Sequence, residues 1–166
     1  MAPLVVMLGV WFVSRLIGFA GWWPPADSWR GALRFALAGM FIFTAGSHFH
    51  PQTRADLVQM VPPFLPRPGL LVTITGLVEL AGAVGLLRRS SAPTAAHILI
   101  VLLVALFPAN VYAAQEGLMI AGQPASPLIW RLPLQLFWMW SLWWAVQESP
   151  RASNPLLGRL TRLPGH

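Results

Sequence analysis

Five long apolar stretches, separated by short junctions rich in proline, arginine or tryptophan, set the pattern of this chain. They are PLVVMLGVWFVSRLIGFAGWW over residues 3–23, WRGALRFALAGMFIFTAGSH from Trp29 to His48, PGLLVTITGLVELAGAVGLL from Pro68 to Leu87, and two more over about 93–114 and 128–146. Crossing a hydrocarbon layer about 30 Å thick takes roughly 20 apolar residues in a helix, so the pattern predicts an all-α polytopic membrane helix bundle with five spans. The first stretch lacks a basic start and a small-residue cleavage site and carries Arg15 inside it, which argues against a signal peptide. Pro24 and Pro25 end it, and Asp27 or Ser28 is placed to cap the second helix. Pro108 interrupts the fourth span and is expected to kink it and free the carbonyl of Val104. Pro133 falls in the first turn of the fifth, where a missing N–H is tolerated.

The connection from Pro51 to Pro68 is not simply hydrophilic: Leu57, Met60, Val61, Phe64 and Leu65 alternate with Arg54, Asp56 and several prolines. Such a segment is expected on the membrane surface, either as a roof over a cavity or as a plain interfacial spacer. Thr53 and Asp56 have the spacing of a short capping box, which predicts one or two helical turns before PPFLPRP.

Composition narrows the chemistry. Of 166 residues 56% are hydrophobic and only 10% charged, a balance that fits one integral membrane domain. There is no Cys, which excludes thiol, disulfide and Cys-ligated metal chemistry carried by this chain. The net charge of +6 comes entirely from arginine, with no run dense enough for a nucleic-acid phosphate patch, so the expected partners are anionic membrane lipids and not nucleic acid. Arg30, Arg34, Arg88, Arg89, Arg151, Arg159 and Arg162 fall at one set of span ends, and Arg54, Arg67 and Arg131 at the other. The positive-inside rule then places the N-terminus outside and the C-terminus in the cytoplasm, with Trp22, Trp23, Trp29, Trp140, Trp143 and Trp144 as a belt at the cytoplasmic interface.

The third span carries one carboxylate, Glu79, on a stripe of small residues formed by Thr75, Gly76, Gly82 and Ala83. Helices pack closely along such stripes, so Glu79 is expected to face protein. An acid at that depth costs about 2.5–3.5 kcal/mol unless protonated, paired or wetted. By depth and topology, His48, Asn110, Tyr112, Arg131 and Gln135 gather in the outer half, and Arg131 and Gln135 share a helical face. This makes Arg131 one candidate partner for Glu79 and Arg15, which matches it in depth, the other; Arg15 can alternatively snorkel to the interface. His48 and His50 point about 200° apart on a helix, which disfavours a metal site, and His97 lies at the opposite end of its helix from His48, which disfavours a haem.

The runs Ala45-Gly46-Ser47-His48-Phe49, Met60-Val61-Pro62-Pro63-Phe64-Leu65-Pro66, Thr75 to Ala83, Pro108-Ala109-Asn110 and Arg131-Leu132-Pro133-Leu134-Gln135 resemble, in order and spacing, the DoxX family of small bacterial membrane proteins. The resemblance covers roughly residues 30–147. It implies a four-helix membrane domain over 29–148 in the bacterial plasma membrane; the additional transmembrane helix read in 1–28 falls outside it, and the arginine split makes 149–166 a cytoplasmic tail. For some relatives it implies association with thiosulfate:quinone oxidoreductase or oxidative-stress enzymes. His48, Glu79, Asn110, Arg131 and Gln135 stand at the motif positions; no catalytic residue carries over.

Two functions follow as expectations. In one, the chain binds a quinone or lipid in an outer-half polar pocket, with His48 or Arg131 bonding a carbonyl and Glu79 relaying protons, as a membrane subunit beside a redox enzyme partner. In the other it is a non-enzymatic scaffold or lipid-binding protein whose polar cluster only joins helices; an isomerase-like enzyme is a third alternative. No haem, flavin or metal is expected on this chain. The orientation is testable because the native chain has no cysteine: in intact cells an impermeant thiol reagent should label Gln52→Cys and spare Ser153→Cys, and the reverse pattern would invert the topology.

Overall fold

A computed structural model describes residues 2–147; the tail expected from 149 onward, with three of the arginines that set the orientation, lies outside them. The chain is almost wholly helical: α1 (Ala2–Phe19), α2 (Trp29–Phe49), α3 (Pro51–Gln59), α4 (Pro68–Leu87), α5 (Ala92–Gln115) and α6 (Leu128–Ala145), with a two-stranded hairpin of β1 (Met119–Ile120) and β2 (Gln123–Pro124) before α6. α1, α2, α4 and α5 are each long and apolar enough to cross a membrane. α6 is less apolar, since Arg131, Gln135 and five tryptophans occupy its 18 residues.

α2 packs on α4, α4 on α5, α5 on α6, and α6 back on α2, which closes a four-helix ring; α1 lies against α2 outside it. Phe41, Leu37, Met40, Leu86, Leu99 and Leu142 fill the ring, and Met7 of α1 joins the same core. Leu8, Phe12 and Leu16 of α1, Ile98 and Val101 of α5, and Leu136 and Trp140 of α6 point outward and are exposed, as lipid-facing positions are. The small-residue stripe of α4 does what its spacing suggests: Val72, Gly76, Glu79, Gly82, Ala83 and Leu86 are its buried face. A Cβ at Gly82 would stand 2.6 Å from the Leu99 side chain, so α4 and α5 can approach this closely only over glycine.

Ser28 caps α2 by accepting from the Gly31 N–H at 2.9 Å. The capping box expected at Thr53 does not form. α3 starts at Pro51, and the Thr53 hydroxyl donates backwards to the Ser47 carbonyl at 2.8 Å, because the chain turns so tightly after α2 that this carbonyl is within reach. α5 runs on through Pro108 without a break, and Pro133 lies inside α6 rather than in its first turn, because the helix already begins at Leu128.

The hairpin was not legible in the sequence. Its two-residue turn, Ala121-Gly122, has positive φ at both positions (51° and 74°), a conformation that sequences normally signal with Asn-Gly. Here the Asp56 carboxylate accepts from the Ala121 N–H at 2.7 Å and holds the left-handed alanine in place. Left-handed backbone costs a non-glycine residue about 1–2 kcal/mol. Ala121→Gly should therefore raise the thermal unfolding midpoint in detergent, by up to about 1 kcal/mol of stability, whereas an unchanged or lower midpoint would mean that the turn carries no such strain.

Candidate functional site

His48 lies in the last turn of α2 and Glu79 in the middle of α4, and both are buried, at 7% and 5% exposure. Their facing atoms, His48 Nε2 and Glu79 Oε2, are 3.7 Å apart. Gly76 makes this approach possible, since a Cβ there would stand 2.6 Å from the His48 Cβ. On the other side of the ring, His48 Nδ1 is 2.8 Å from the Val72 carbonyl oxygen and 3.3 Å from the Thr75 hydroxyl. A carbonyl only accepts, so Nδ1 carries a proton and Nε2 is the nitrogen left to face the carboxylate. Thr44, one turn before His48, donates to the same Glu79 Oε2 at 2.9 Å. A single proton shared between Nε2 and Oε2 would make the pair neutral overall, whichever atom held it.

This arrangement answers how an acid is kept at that depth. Opposite charges about 4 Å apart attract by about 4 kcal/mol at an effective dielectric near 20, comparable with the cost of inserting a central carboxylate. The separation exceeds hydrogen-bond reach by about 0.5 Å, a small side-chain adjustment.

The partner of Glu79 is therefore His48, and neither of the arginines that depth and topology brought forward. Arg131 donates from Nη1 to Asn110 Oδ1 at 2.7 Å and from Nε to the Ser126 carbonyl at 2.9 Å, so its fork is turned toward the start of α6. Arg15 reaches the Ala26 and Asp27 carbonyls at the α1–α2 junction, 4.0 Å from the Asp27 carboxylate, with its guanidinium over the Trp29 ring. Gln135 is buried and donates to the Leu103 carbonyl at 2.8 Å, one residue before the carbonyl expected to be freed by Pro108.

The five motif residues thus fall into two groups, His48 with Glu79 between α2 and α4, and Asn110 with Arg131 and Gln135 between α5 and α6. Among the described residues no hydrogen bond or ion pair joins them. Nor do three His, Cys, Asp or Glu residues come together as a metal site among the described residues. Thr44 and Arg54 were not anticipated. The signal for Thr44 was its i, i+4 spacing to His48. Arg54 donates to the His48 carbonyl at 2.9 Å, to the Gly69 carbonyl at 2.8 Å and to the Thr73 hydroxyl at 2.9 Å, which fastens α3 over the ends of α2 and α4; no local pattern announces it.

Removing one member leaves the other uncompensated in an apolar bundle. Glu79→Gln and His48→Gln should each lower the unfolding midpoint in detergent, and the double change should fall short of their sum by about 1–3 kcal/mol. A parallel cycle between Glu79 and Arg131 should be additive within about 0.5 kcal/mol, and coupling there with none to His48 would contradict this pairing.

No curated protein and no solved structure matches the chain. One family model does, described as Domain of unknown function (DUF8561), over residues 37–147. That stretch runs from within α2 to the end of the described residues and holds His48, Glu79, Asn110, Arg131 and Gln135, while α1 lies outside it. Since the match spans more than half of the sequence, the chain belongs to the DUF8561 family.

Proposed function

We propose that this protein is a DoxX-like integral membrane protein that binds a lipophilic carbonyl compound, a quinone or a lipid, and exchanges a proton with it through the His48–Glu79 pair. The observation that carries the reading is the pair itself: two buried ionisable groups, one imidazole nitrogen fixed as a donor to backbone and the other turned to a carboxylate. Reduction of a quinone oxygen requires a proton at that oxygen, and a group that holds one proton in an otherwise apolar bundle can supply it. Thr44, half-buried, is already bonded to the carboxylate and is the nearest hydroxyl through which a ligand oxygen could join the pair. With no cysteine the chain cannot ligate an iron–sulfur cluster, so the reading includes a redox enzyme as partner to supply the electrons. It also includes α6 as a fifth span, supported by its exposed Ile129, Leu136, Phe137 and Trp140, and a bacterial plasma-membrane location with the N-terminus outside.

A scaffold or lipid-binding role is the second reading. What favours it is that Arg131, Asn110 and Gln135 each have a protein partner, as groups that only tie helices together would.

Extracts of the purified protein separate the two. By mass spectrometry the wild type should retain a quinone or another carbonyl lipid enriched over the surrounding membrane, and Glu79→Gln and His48→Gln should retain about tenfold less, the loss of one bond to an ionisable group. Equal small-molecule content in wild type and both variants would sink the proton-exchange reading and leave the scaffold.

A further inference from the structure

At the opposite end of the bundle from His48, where α1 turns into α2 and α4 ends, a cavity of about 540 Å³ opens between Trp23, Arg34, Phe35, Leu87 and Arg89. Arg34 is only 7% exposed, although it carries a charge. Its Nε is fully buried and has no hydrogen-bond partner, and among the described residues no acceptor is bonded to any of its other N–H groups. The nearest compensation is the Phe35 ring, with the guanidinium carbon 5.3 Å from its centre. Arg89 lines the same cavity from the end of α4, so two like charges share one concave site, and no carboxylate lines it among the described residues. The Trp23 ring packs on Phe35 at 4.1 Å between centroids and forms an apolar wall beside the cationic floor.

A buried guanidinium with unused donors next to a second arginine is a site short of an anion with several acceptor oxygens. Planar N–H forks match phosphate oxygens, and basic pockets between helices at a membrane surface are where lipid headgroups seat. We propose that the Arg34–Arg89 cavity binds a phosphate group, with Arg34 bonding its oxygens from below, Arg89 closing over it, and Trp23 contacting the apolar remainder of a phosphate ester. The site is separate from the His48–Glu79 pair and does not depend on the proposed quinone or lipid there.

Thermal unfolding of the full chain in detergent tests this. Phosphatidylglycerol should raise the wild-type midpoint by several degrees and phosphatidylcholine should do so less, because its choline cation is repelled by the arginines. Arg89→Gln, an exposed change that leaves the core intact, should at least halve the shift, and Arg34→Gln with Arg89→Gln should abolish it. Arg88→Gln, which alters a neighbouring arginine that does not line the cavity, should keep it. An equal shift from inorganic phosphate would identify the free anion as the source, and a shift from the phospholipid alone would identify the headgroup. No shift from any of these, or the same loss in Arg88→Gln as in Arg89→Gln, would overturn the assignment.

Discussion

Keeping a carboxylate inside an apolar helix bundle is the constraint on which the rest of this structure turns. Glu79 faces inward because α4 presents small residues on that side, and it can remain there because His48 and Thr44 reach it from α2. The two helices must be close for this contact to exist, and Gly76 is what lets them be close. Sterics and electrostatics therefore act on one helix pair: the same turn of α4 that removes a side chain from the interface places the charge that the interface must neutralise.

The polar groups elsewhere follow the same logic with different means. Where a side chain can reach a helix end or a backbone carbonyl, it does so: Arg15 at the α1–α2 turn, Arg54 over α2 and α4, Arg131 toward Ser126, and Gln135 on Leu103. In hydrocarbon an unbonded polar group is costly, and backbone carbonyls near helix termini are acceptors that need no matching residue. Arg34 departs from that pattern, as Trp138 and Ser141 do, but it alone of the three carries a charge and lines a cavity, which is why its surroundings read as a site and not as a strut.

Much of the architecture was legible in the sequence because apolar length and small-residue spacing are direct consequences of a membrane solvent. The bounds of α4 and the inward face of Glu79 could be read from residues 68–87 alone. The partner of Glu79 could not. Depth along a helix ranks candidates by height but says nothing of which helix lies beside which, and adjacency of α2 and α4 decided in favour of His48. Charge was also a poor guide, since an arginine with a long stem has many acceptors within reach, while a histidine held by a backbone carbonyl has few. The hairpin escaped because its turn lacks the residues that such turns prefer and is held instead by an aspartate far away along the chain.

That aspartate gives α3 a place in the order of assembly. Arg54 and Asp56 are two residues apart on one short helix: the first grips α2 and α4, the second grips a turn 65 positions later. Contacts made by Arg54 close short loops and can form as soon as α4 has been synthesised, whereas the Asp56 contact must wait for α5 and closes a much longer one. The hairpin is thus fastened to a surface made by the first half of the chain. α6, which follows it directly, enters the bundle from the end that the Asp56 bond fastens.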